Sequence, residues 1–109
     1  MWEIKETSPM SDLDQGHCLV GNVPTPISSQ PLKRKNRGVL LHAPGPGDPR
    51  GANTDVVYIG GAQVTADRNA GTGGIPLLPG ASLEIPIEDP QNLYGVSATA
   101  GQDVAWLGI

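Results

Sequence analysis

DVVYIGGAQVTADRNAGTGGIPLLPG, residues Asp55 to Gly80, is the stretch whose reading decides the fold. Val56 to Ile59 is β-branched and aromatic, which suits a pleated, half-buried strand. The pair Gly60 and Gly61 forces a bend, and Ala62 to Thr65 resumes extended chain. Asp67 to Gly74 (DRNAGTGG) is a flexible loop, and Ile75 to Pro79 (IPLLP) runs into a turn at Pro79 and Gly80. Nothing in the stretch patterns as catalytic. Its residue types build short strands and expose loops, so the first functional expectation is recognition or assembly.

Outward from this centre the same reading continues. Leu83, Ile85 and Ile87 alternate with Ser82, Glu84 and Glu88, the apolar-in, polar-out pattern of a half-buried antiparallel strand, with Pro86 marking an outward face or an edge. Asp89 and Pro90 end it. Asn92 to Ala98 and Asp103 to Ile109 are two further strands joined by a turn at Ala100 and Gly101. Upstream, Gly38 to Ala43 (GVLLHA) is a strand with Val39 and Leu41 on one face and Leu40 and His42 on the other, both faces partly buried. Residues 44 to 54, PGPGDPRGANT, hold three prolines and three glycines and form a loop. Residues 16 to 32 begin with a short strand at Cys18 to Val20 and then run extended past Pro24, Pro26 and Pro31, as edge or connector. Residues 1 to 15 have no sustained period and read as an arm, either a disordered tail or a strap that orders on a neighbour.

Turn signals recur about every 8 to 12 residues and no helical apolar stripe exists, so the expected fold is all-β. It is a small antiparallel sandwich, jelly-roll-like, of about seven short strands. The division is an extended arm and connector over 1–32 and a sandwich over 33–109. The core is expected from Val39, Leu41, Val56, Tyr58, Leu83, Ile85, Val96, Val104 and Trp106.

Composition bounds the rest. A chain of 109 residues makes one domain. With no Phe and only two Trp and two Tyr, the core rests on Val, Leu, Ile and Ala. Net charge is −4, four of the seven basic residues fall within Lys33 to Arg37, and none follows Arg68. That is thin support for a nucleic-acid surface. A single cysteine, Cys18, excludes an internal disulfide and a thiolate set for structural zinc, and fits a reducing compartment. No signal peptide and no apolar run near the ~18 residues of a membrane span is evident, so a soluble protein, not exported by an obvious route, is expected.

Each polar constellation has a plain structural reading. GPGDPRG at 45–51 and GTGG at 71–74 lack the strand before, helix after and lysine that a phosphate cradle needs. His17 and Cys18 are adjacent, so in a strand they point to opposite faces, poor geometry for a metal or a nucleophile and its base. His42 has no acid patterned near it. Glu88, Asp89, Asp48, Asp55 and Asp67 lack the alternating oxygen ligands of a calcium loop. No enzyme activity, cofactor or metal is expected. KRKNR at 33–37 is either a solvated turn or a docking patch, and without interleaved aromatics a protein surface suits it better than nucleic acid.

From Gly38 to Ile109 the order of features resembles small virion structural proteins of tailed bacteriophages. The shared pattern is a V-Y-x-G-G unit followed by V-T, a glycine loop, a P-L-x-P-G turn, an alternating strand, an acidic turn, L-Y and a closing G-x-D-V strand. Its residues here are Val57, Tyr58, Gly60, Gly61, Val64, Thr65, Pro76, Leu77, Pro79, Gly80, Leu93, Tyr94, Gly101, Asp103 and Val104. The resemblance implies a head decoration or cement protein on the capsid surface, made in the host cytoplasm, with the major capsid protein as partner and a homotrimer at local threefold positions. The interface expected with shell or neighbouring subunits is Trp2, Ile4 and Met10 in the arm with Lys33, Arg34, Lys35 and Arg37 in the turn. The competing reading is a receptor- or carbohydrate-binding module of a head fibre or tail, working through the loops at 44–54 and 67–74. Neither a membrane nor a nucleic-acid partner is expected.

Overall fold

The computed structural model describes residues 13–67 and 69–109. Eight strands follow in order: β1 (Gln15–Val20), β2 (Thr25–Pro26), β3 (Val39–His42), β4 (Val57–Gly60), β5 (Ile75–Leu77), β6 (Ser82–Ile85), β7 (Tyr94–Val96) and β8 (Gln102–Gly108). A single 3-10 turn at Pro90–Asn92 precedes β7, capped by the Asp89 carboxylate accepting from the Gln91 N–H. Sheet A has the order β1-β8-β3-β6 and sheet B the order β2-β7-β4-β5. All pairings between these strands are antiparallel.

The pairs β1/β8, β2/β7, β3/β6 and β4/β5 are those of one long hairpin rolled so that successive pairs fall in opposite sheets. That is the jelly roll. The all-β, jelly-roll expectation holds, with eight strands. The connector expected before residue 33 contributes more than a link: β1 lies in sheet A and β2 in sheet B. Prolines do not prevent this, because β2 is an edge strand, where a missing N–H need not break a ladder.

The core fills the space between the sheets. Val39, Leu41, Val57 and Val104 are fully buried, with Val20, Ile27, Ile59, Leu77, Leu93 and Trp106 around them. Leu83 and Ile85 pack on this cluster from the edge strand β6 and are only partly buried. On β4 the expected face is inverted: Val57 and Ile59 point inward, whereas Val56 and Tyr58 are half-buried. Four consecutive apolar residues carry no period of two, so local pattern could not choose the face. The register with β7 chose it. Ile59 lies opposite Gly95, and a Cβ on Gly95 would come within 3.1 Å of Val20 Cγ1 and 3.4 Å of Val57 Cγ1. The gap left by this glycine is where the inward branched side chains meet. Val96 is buried as expected, but on Tyr58's side of β7 rather than in the inter-sheet cluster.

Two local readings also change. Ala62 to Thr65 does not resume a strand; it turns, with the Val64 N–H donating to Gly61 C=O, and Thr65 bridges Gly73. A Cβ on Gly74 would stand 2.6 Å from Val64 Cγ2, so only glycine lets the loop close. Ile75–Leu77 is a strand despite Pro76, again because it is an edge.

Candidate functional site

The candidate interface residues of the arm, Trp2, Ile4 and Met10, lie outside the described residues. Those of the basic turn sit at the end of sheet A where β1 begins and β8 ends. They are held there by a side chain that sequence reading passed over. The buried Asp14 carboxylate accepts from the Lys33 N–H at 2.8 Å and from Asn36 Nδ2 at 3.0 Å. The Arg37 N–H donates to the Ile109 carbonyl at 2.6 Å, and Gly108 N–H donates to the Asp14 carbonyl at 2.8 Å. Asn36 is itself buried and packs so tightly on Gly108 that a Cβ there would lie 2.6 Å from its amide carbon. Lys33, Lys35 and Arg37 are thus exposed charges on a tied backbone, with Arg34 half-buried between them.

Burial alone would raise the Asp14 pKa, but hydrogen bonds from the Lys33 backbone, Asn36 and the Arg34 backbone, with the Lys33 charge, hold it below the usual carboxylate value. The folded value is depressed, so the clamp's contribution is complete above the unfolded value near 3.8 and is lost as pH falls from there through the folded value. Asp14→Ala leaves the Lys33 N–H and Asn36 amide without their acceptor and is expected to cost about 1–3 kcal/mol. Urea unfolding at neutral pH checks this, and the gap between variant and wild type should close below about pH 4.

A second polar cluster crosses the outer face of sheet A. Arg50, in the loop between β3 and β4, donates from Nε to Asp103 Oδ2 at 2.7 Å, and its terminal nitrogen stands 3.1 Å from His17 Nδ1. His17 Nδ1 is 3.4 Å from Asp103 Oδ1. Beneath, Asn53 bonds both ways to the Asp103 backbone, accepting its N–H and donating to its C=O, each at 2.8 Å. The neighbouring Gln102 amide accepts from the N–H groups of Thr54 and Asp55. These bonds pin the loop onto β8.

The cluster has a carboxylate, an imidazole and a guanidinium but no hydroxyl or thiol nucleophile in contact. Cys18 faces inward on the same strand, and burial, with the Asp103 charge, pushes its thiol up to about 11. Alkylation of Cys18 in the folded protein at pH 8 should run at least about tenfold slower than after unfolding, read by mass shift against time. Among the described residues no group of three or more His, Cys, Asp or Glu could hold a metal ion. No helix there is long and apolar enough to cross a membrane.

Beside the polar cluster the outer face turns apolar. Leu40, Ala105 and Leu107 line a shallow hollow of about 120 Å³ with His42, whose Nδ1 meets Ser82 Oγ at 2.9 Å. Leu19 stands 62% exposed on the same face. The glycine-rich loops at 45–51 and 71–74 serve the fold: Gly47 and Gly51 take positive φ in tight turns, and the 71–74 loop closes on Thr65.

Fold and site together define an all-β jelly roll with one tied basic turn and one partly apolar sheet face. Comparison of the chain with protein-family models, with characterised proteins and with solved structures finds no match.

Proposed function

We propose that this chain is a structural protein of a virus particle, a decoration or cement subunit that binds the shell of a tailed bacteriophage, with the major capsid protein as its partner. The observation that carries the reading is the basic turn. Lys33, Lys35 and Arg37 are exposed on a backbone tied at Asp14 and Ile109, so their charges project from a fixed backbone rather than from a free loop. Preorganised charge steers and orients an encounter with an acidic surface at little entropic cost. The fold adds support, since jelly rolls recur in viral capsid domains, and so does the resemblance over residues 38–109. In this reading residues 1–12, with Trp2, Ile4 and Met10, supply apolar anchors to a shell or neighbouring subunit, and copies gather at threefold positions on the shell. The receptor- or carbohydrate-binding alternative draws less support, because the 44–54 loop is committed to β8 through Arg50, Asn53 and Thr54.

The test is binding to particles stripped of this protein, at low and high salt. A Lys33→Glu, Lys35→Glu variant should bind at least about tenfold more weakly at low salt, with the difference shrinking at high salt. A chain lacking residues 1–12 should fold and bind more weakly at both. The truncation must stop before Asp14, which belongs to the fold. Undiminished binding by both variants would remove the attachment surface from these residues.

A further inference from the structure

Four strands of this jelly roll lie at sheet edges, and three of them are guarded. β2 contains Pro26 and β5 contains Pro76, while β6 carries the exposed Glu84 and runs into Pro86. Proline denies an added strand one of its donors, and an outward charge resists being covered. β1 differs. Its six residues, QGHCLV, make it the longest of the four edges, and they include no proline and no Lys, Arg, Asp or Glu.

The phase of its ladder can be read directly. Gly108 N–H donates to the Asp14 carbonyl, and hydrogen-bonded pairs in an antiparallel ladder recur at every second residue. Residues 14, 16, 18 and 20 therefore turn their backbone groups to β8. Gln15, His17 and Leu19 turn theirs to the edge that no other described strand covers, three N–H and three C=O groups along about 14 Å. Next to this edge, between β1 and residues 25–30, runs a groove of about 270 Å³ with Trp106 at its floor. A strand added to β1 would point alternate side chains into it.

We propose that β1 pairs antiparallel with β1 of a second copy of this chain about a twofold axis, joining the two A sheets into one of eight strands. Two observations favour a second copy as the occupant. The strand has no formal charge of its own, so two copies meet without like-charge repulsion. Its two ends are also oppositely charged. Lys33, Lys35 and Arg37 stand at the Gln15 end, whereas Asp48, Asp55 and Asp103 outnumber Arg50 at the end where Gly21 meets Ser97 and Ala100. An antiparallel pair sets the basic end of each copy against the acidic end of the other. The contact forms in solution without the shell, and it is a different contact from the one by which copies gather at threefold positions in the particle-binding reading.

Sedimentation of the isolated full-length chain from about 5 to about 200 µM should show a dimer that dissociates on dilution. Amide exchange should show the His17 and Leu19 N–H groups protected in the dimer and open in the monomer. His17→Pro removes an outward N–H while sparing the β8 ladder and should weaken the dimer about tenfold or more. Leu19→Lys, at an exposed side chain, places like charges at the contact and should weaken it similarly with unchanged thermal stability; it carries the test if the proline variant misfolds. A monomer or a trimer across the whole range, or exposed His17 and Leu19 amides in the dimer, overturns the proposal. So does a dimer unaffected by Leu19→Lys, or one abolished by deleting residues 1–12 alone, which would make that segment the occupant.

Discussion

Leu41→Ala lowers the unfolding free energy by about 2–5 kcal/mol, among the largest losses expected from a single truncation in the core. Leu41 is fully buried at the centre of sheet A, on β3 between β8 and β6, with Trp106 and Leu83 as its cross-strand neighbours. β3 is laddered to β8 on one side and β6 on the other, so the walls of the cavity cannot easily close, which places the cost toward the upper end of that range. Domains of this size have only about 5–15 kcal/mol to lose. Urea titration should show a lower midpoint at unchanged slope. Leu83→Ala, on the half-buried edge strand, should lose clearly less; equal losses would mean that β6 is covered more fully than its edge position allows.

Asn53→Ala comes next, at about 2–4 kcal/mol, because it strands two backbone groups at once. β3 ends at His42, opposite Ala105, so the Asp103 N–H and C=O have no strand beside them on that side. The Asn53 amide takes the place of the missing strand, with both bonds at 2.8 Å. Losing it should also free the 44–54 loop and with it Arg50. The result to look for is a lowered unfolding midpoint with faster amide exchange at residue 103 and through the loop. A variant that unfolds like wild type would show that water replaces the amide without penalty. Asn53→Asp separates the two bonds, since the carboxylate can still accept the Asp103 N–H but cannot donate to its carbonyl.

Part of the candidate site was legible in the chain itself. Four basic residues in five positions announce a charged turn without any knowledge of the fold. What ties that turn down was not legible. Asp14 lies 22 residues from Asn36, in a stretch that reads as an arm, and an aspartate between Leu13 and Gln15, two positions after Asp12, gives no cue that it will be buried. The same holds for the polar cluster. His17, Arg50 and Asp103 come from three distant segments, and only the placement of β1 beside β8, with the 44–54 loop laid over both, brings them within 3.4 Å.

By itself, then, the sequence determined the all-β class, the punctuation of the chain by glycine and proline, and the inward faces of β3, β6 and β8. Each depends on residues a few positions apart: an alternation such as Leu83, Ile85, Ile87, or a turn such as Pro79-Gly80. Tertiary structure decided the inward face of β4, the recruitment of residues 15–26 into both sheets, and the clamps at Asp14 and Asn53. In VVYI every position is apolar, so the face was settled by Gly95 across the ladder. In the proline-rich stretch before Lys33, strand formation required an edge where a missing donor does no harm. Those choices depend on partners 20 to 90 residues away that meet only when the long hairpin rolls up, and local chain chemistry carries no record of them.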